Sequence, residues 1–115
     1  MTAPKPPKRP GIDPPASLSK PARDWWRRLM SEYAIDDQAG LMLLEVTLQA
    51  FDRMREAQKT IKEEGAIVRN DAGNARAHPC IAIERDSRIA MLHGFKALNL
   101  SIEPLRSGPG RPPGA

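Results

Sequence analysis

Leu18-Ser-Lys-Pro-Ala-Arg-Asp-Trp-Trp-Arg-Arg-Leu29 reads as the start of a capped helix with one apolar and one basic face. Ser19 is a helix-capping residue type, and Pro21 falls in the first turn, where its missing N–H leaves no bond unmade. From there Ala22, Trp25, Trp26, Leu29, Met30 and Tyr33 recur at helical spacing, so one side is apolar and must be covered. Lys20, Arg23, Arg27 and Arg28 project around the rest. Such a helix packs with one side and can face a polyanion with the other. It points to a binding module rather than an active site.

Outward from this helix, proline marks the limits of the foldable chain. Seven of the 12 prolines lie between Pro4 and Pro21 and four between Pro104 and Pro113, with Pro79 alone in the middle. The 115 residues thus hold one domain of about 80 residues, a size at which one core is marginal and self-association is a common remedy. Net charge is +4, and residues 1–23 carry most of the excess, with five Lys/Arg against Asp13. Residues 24–64 are acidic, with nine carboxylates against six cations. The basicity therefore belongs to the N-terminal arm, which suits either nucleic-acid contact or simple solubilisation.

Residues 1–17 are Pro/Lys-rich without apolar periodicity and are expected to be disordered or polyproline-like. Helix one is expected over about Lys20 to Tyr33, with Asp36 or Asp37 capping a long second helix from Asp37 to Glu64 that stops at Gly65. That second helix carries two stripes. Leu43, Thr47, Ala50, Met54, Ala57 and Ile61 follow four–three spacing, as in a coiled-coil seam. Leu41, Leu44, Leu48 and Phe51 form another, about 100° or more away by the helical angle. One stripe serves the core; the other needs a further helix or another subunit.

Ala66-Ile-Val-Arg69 and Asn70-Asp-Ala-Gly-Asn74 predict a β-like segment and turn, closing as a small hairpin near Ala75–Ala77. A third helix is expected from Pro79 to about Leu98, with Asn99 as a left-handed cap. Its main stripe contains Ser87 and Gly94, small enough for close helix approach.

No catalytic constellation emerges. His78 and His93 have no ligand set at metal-binding spacing, and Cys80, the single cysteine, offers neither a disulfide nor a CxxC site. No glycine-rich phosphate loop or nucleophile motif is present. Asp36-Asp37 is explained by capping, and Glu63-Glu64 by a solvated helix end. No cofactor is expected. The chain begins without a signal-peptide pattern and has no apolar run of membrane-spanning length, so a soluble intracellular protein is expected. Trp25, Trp26 and Leu29 sit at core spacing, which favours packing over base stacking. Arg27-Arg28 fits phosphate contact and solvation equally. Gly110-Arg111-Pro112 is similar to the core of a minor-groove hook but lacks the preceding arginine, and a flexible tail describes it better.

Taken in order, these pieces resemble the small subunit of phage terminases, in the branch with a Leu-Ser-Lys…Trp-Arg-Arg-Leu first helix and His-Pro before the last long helix. The resemblance rests on Pro14-Pro-Ala-Ser-Leu-Ser-Lys20, Trp26-Arg-Arg-Leu29, Phe51-Asp-Arg-Met-Arg-Glu-Ala57, Glu64-Gly65, His78-Pro79 and Leu98-Asn-Leu-Ser101. It spans about residues 14 to 106. Asn99 stands where the family usually has glycine, and Ser101-Ile-Glu-Pro104 separates a Ser and Pro that are normally adjacent. The resemblance implies a non-enzymatic DNA-packaging component in the cytoplasm of a phage-infected or lysogenic bacterium. It would form a ring, recognise double-stranded viral DNA, and recruit and regulate the large subunit that carries the ATPase and nuclease.

The expected fold is mainly α: a short first helix packed on a long antiparallel helical hairpin, a small β-like insert between the long helices, and disordered Pro-rich termini. The domain is expected over residues 18–106, between a basic arm at 1–17 and a Pro/Gly tail at 107–115. Charge placement nominates Lys5, Lys8, Arg9, Lys20, Arg23, Arg27 and Arg28 for DNA phosphate contact. Stripe geometry nominates Leu41, Leu44, Leu48 and Phe51 for the homo-oligomer interface. No membrane partner is expected. Two other readings stand beside this one: a small dimeric helical DNA-binding regulator, and a helical adaptor that binds only protein.

Overall fold

The computed structural model describes residues 13–100. Lys5, Lys8, Arg9, most of the basic arm and the whole Pro/Gly tail with Gly110-Arg111-Pro112 lie outside the described residues. Within them the order is α1 (Lys20–Glu32), α2 (Gln38–Glu64), β1 (Ile67–Arg69), β2 (Ala75–Ala77) and α3 (Pro79–Ala97). The protein is mainly helical, with a two-stranded antiparallel sheet between the long helices, as the sequence predicts.

Each helix begins where a side chain satisfies an otherwise unpaired backbone donor. Ser19 is extended and its Oγ accepts the Ala22 amide at 3.2 Å. Asp37, rather than Asp36, caps α2 by accepting the Gly40 amide at 2.9 Å. At α3 the cap is His78, whose Nδ1 accepts the Cys80 amide at 2.9 Å. Pro79 stands at the helix start, as its residue type predicts, whereas the capping role of His78 emerges only from the structure.

Between α2 and α3 the hairpin pairs Ile67 with Ala77, Val68 with Arg76 and Arg69 with Ala75. Asn70 closes its turn twice, donating its amide to the Asn74 carbonyl and accepting the Asn74 amide on Oδ1. Gly73 supplies the positive φ of 84° that this reversal requires. His78 then donates its amide to the Ala66 carbonyl at 2.8 Å, so the last residue before α3 is tied to the first residues after α2.

The core lies toward the α1 end. Leu18, Ala22, Trp26, Leu29, Ile35, Leu44 and Leu48 form one buried cluster. Both stripes of α2 are used within the chain. Leu44 and Leu48 join the α1 residues in this cluster, while Thr47, Ala50 and Ala57 are buried on the α3 side, where Thr47 meets Gly94.

This corrects the subunit-contact expectation for Leu44 and Leu48. They are 0% and 1% exposed within a single chain, so neither presents surface to a neighbour. The physical reason is that α1 is a full helix with its own apolar face, and it takes the stripe that the sequence left without a partner. Leu41 and Phe51 remain half-buried at the margin of the same cluster. Burying one leucine contributes roughly 1.5–3 kcal/mol, which makes Leu44 and Leu48 major contributors to the docking of α1.

Candidate nucleic-acid interface

The α1 cations are positioned by the side chains opposite them. Ala22, Trp26 and Leu29 are buried, which turns Lys20, Arg27 and Arg28 outward as exposed residues and leaves Arg23 half-buried at one flank. The entry to the helix is fixed on α2. Asp52 accepts the Ser19 amide at 2.9 Å on Oδ2 and the Ser19 hydroxyl on Oδ1. A carboxylate therefore already occupies the N-terminal end of α1, where an anion would otherwise be favoured. Any polyanion binding on α1 must use its outer side.

On that side Asp24 stands between two cations. Lys20 Nζ is 3.6 Å from Asp24 Oδ2, and Arg27 Nη1 is 3.3 Å from Asp24 Oδ1. Exposed pairs of this kind are worth about 0–1 kcal/mol, so a phosphate can exchange for Asp24 at small cost. Arg28 stacks instead, its guanidinium carbon 5.0 Å from the Trp25 ring centroid. That contact holds a planar cation at the surface beside an indole. Four cations against two carboxylates, Asp24 and the exposed Glu32, leave α1 with a positive balance.

Trp25 departs from the sequence reading. Trp26 is 2% exposed, as expected of core, but Trp25 is 43% exposed. Consecutive residues on a helix point about 100° apart, so both indoles cannot enter one core. Trp25 lines the edge of the basic face instead.

Three further cations adjoin the start of α1 and were not nominated from sequence. Arg55, Lys59 and Lys62 line a groove of about 720 Å3 together with Ser19, Pro21 and Asp52. Their i, i+4, i+7 spacing places them on one side of α2, a signal legible in sequence once α1 is known to end its coverage at Asp52. Arg55 also lies over Phe51, 5.6 Å from the ring centroid.

The α3 cations are engaged differently. Arg88 reaches both carboxylate oxygens of Glu84 at 3.2 Å, and Gln58 on α2 donates to the same carboxylate at 3.1 Å. Arg88 first, then Gln58, hold the Glu84 carboxyl below its ordinary range, and Glu84 in turn raises the Arg88 guanidinium. This cluster fastens α3 to α2 and is less suited to phosphate contact than the α1 face.

Among the described residues no group of three or more His, Cys, Asp or Glu is placed to hold a metal ion, and no helix is long and apolar enough to cross a membrane. A protein-family model described as "Phage terminase, small subunit" matches residues 22–104. No curated protein and no solved structure matches the chain.

Proposed function

This chain belongs to the phage terminase small-subunit family, and on that premise we propose that it is the DNA-recognition and regulatory component of a genome-packaging machine. In this reading it binds double-stranded viral DNA, assembles as a ring in the infected host cell, and recruits and regulates the large subunit. Nucleotide hydrolysis and DNA cutting belong to that large subunit.

The observation that carries the DNA-binding part is the outward basic face of α1: Lys20, Arg23, Arg27 and the Arg28–Trp25 stack. Lys5, Lys8 and Arg9 precede that face in the chain and would extend it along the duplex. Phosphate contacts of this kind make affinity fall steeply with salt. Ring assembly would draw on apolar side chains left at the surface, Met42 and Val46 on α2 and Ile89 and Leu92 on α3, with Leu41 and Phe51 at the core margin. Head-to-tail contacts between unlike patches close into rings.

The test is a salt titration of DNA binding. Replacing Lys20, Arg23, Arg27 and Arg28 by Gln should flatten the slope of log K against log salt by about 0.9 for every phosphate no longer neutralised. An unchanged slope would overturn the α1 assignment. Native mass spectrometry of the full chain reports the ring directly, and a monomer at every accessible concentration would remove it.

A further inference from the structure

An open groove of about 400 Å3 with almost wholly apolar walls runs between the three helices on the α1 side. The chain has two Trp, two Phe and one Tyr, and all of them except Trp26 line this groove. Trp26 alone is buried in the core. Core packing does not require the other four to gather at one open surface.

The groove continues into a basic stretch. Phe51 and Met54 also line the groove that holds Arg55, Lys59 and Lys62, so the two adjoin. Cations lie over the aromatic wall on both sides, Arg28 over Trp25 of α1 and Arg55 over Phe51 of α2. Lys59 and Lys62 are exposed and form no ion pair among the described residues. Asp52 is already bonded to Ser19, which leaves Glu56 as the other carboxylate beside these cations.

We propose that this trough binds single-stranded DNA, stacking bases on Trp25, Phe51 and Phe95 and holding phosphates on Arg28, Arg55, Lys59 and Lys62. This goes beyond duplex recognition. It uses the Arg28–Trp25 stack but none of Lys20, Arg23 or Arg27.

A single strand offers what the trough lacks, flat apolar rings alternating with phosphates. Every base has a π-face, so stacking on aromatic side chains is sequence-tolerant while a cationic groove tracks the backbone. A duplex keeps its base faces inside the stack and cannot use such a wall. From Leu48 to Lys62, α2 rises roughly 21 Å, which matches about six phosphates at 3.4 Å each along one strand. An apolar cavity of about 150 Å3 already takes a benzene-sized ring, so 400 Å3 accommodates two. A second copy of the chain is the competing occupant. Its exposed Ile89 and Leu92 share one side of α3 with Arg85, Arg88 and Lys96, which would bring more cations to a basic rim.

The experiment titrates the full chain with a thymidine oligonucleotide of about 12 nucleotides, within the usual site size. Binding should quench Trp emission. Trp25→Ala should abolish that quenching and weaken binding by about tenfold. Trp25→Phe keeps a ring and should retain most of the affinity, which separates stacking from a fold defect. Replacing Arg55, Lys59 and Lys62 by Gln should flatten the salt slope by about 0.7 for each phosphate released, the single-strand value. No binding at low salt would overturn the proposal, and so would binding that Trp25→Ala leaves unchanged. If Trp25→Ala abolished self-association instead, a second copy would be the occupant and the proposal would fall. Replacing Lys20, Arg23 and Arg27 by Gln should weaken duplex binding and leave the quenching in place, so the two readings fail separately.

Discussion

Gly94 on α3 rests against Thr47 on α2 so closely that a Cβ at Gly94 would stand 2.9 Å from both Cβ and Cγ2 of Thr47. Thr47 cannot swing aside without loss, because its hydroxyl donates to the Leu43 carbonyl at 2.7 Å and its side chain is 2% exposed. The two long helices therefore meet here through one glycine and one locked threonine. Gly94→Ala should destabilise the chain by about 1–3 kcal/mol through overpacking. Adding Thr47→Ala should recover part of that loss in a double-mutant cycle by urea unfolding. A Gly94→Ala variant as stable as the parent would refute the close approach.

His78 joins the two ends of the helical hairpin. Its Nε2 lies 2.7 Å from Glu64 Oε1 while Nδ1 accepts the Cys80 amide, so the proton sits on Nε2 and is donated to Glu64. His78→Ala should cost about 1–2 kcal/mol, with the missing cap accounting for about 0.5 or more. His78→Asn keeps a cap acceptor and loses only the Glu64 bond, so it should fall between the two in thermal unfolding. Equal losses for Ala and Asn would mean the cap contributes nothing.

Asp52 should govern the docking of α1. Asp52→Ala removes the acceptor for both the Ser19 amide and hydroxyl, and the expected cost is about 1–2 kcal/mol. Because α1 carries both tryptophans, Trp fluorescence should respond at lower urea than the far-ultraviolet helix signal. Coincident transitions for the two probes would show that α1 does not loosen separately.

The Glu84 cluster sets a pH dependence of known sign. Arg88 and Gln58 hold the folded Glu84 below its ordinary value of 4.5, so the unfolded chain binds this proton more readily than the folded one. The contribution is therefore complete above pH 4.5 and fades as pH falls through the lower folded value. Glu84→Gln should lose stability at neutral pH and lose less on acidification than the parent. Parallel pH profiles for the two proteins would contradict this.

Short-range signals made much of the fold legible. Ser19, Pro21, Asp37, Gly65, Pro79 and Asn99 mark helix ends because their backbone preferences and side-chain acceptors act within a turn of themselves. Asn70-Asp-Ala-Gly-Asn74 marks the reversal between β1 and β2 for the same reason. Of these, Ser19, Gly65 and Pro79 also fall within the pieces that carry the resemblance to the terminase small-subunit family.

What the sequence by itself determined is where each helix starts and stops, that each has an apolar side to cover, and that cations crowd one end. Only the tertiary structure decided which surface covers which. Periodicity says that Leu44 and Leu48 need a partner, but α1 and α2 approach through residues 33 apart in sequence, as Ser19 and Asp52 do, and no local signal encodes that pairing. The same holds for Trp25 and Trp26, equally apolar in sequence and separated only by the side on which α2 lies. It holds too for Glu64 and His78, which become partners because the hairpin folds at Gly65–Ala77. Local conformation is set by steric and hydrogen-bonding preferences within one turn, whereas the pairing of faces is set by burial summed over the whole chain.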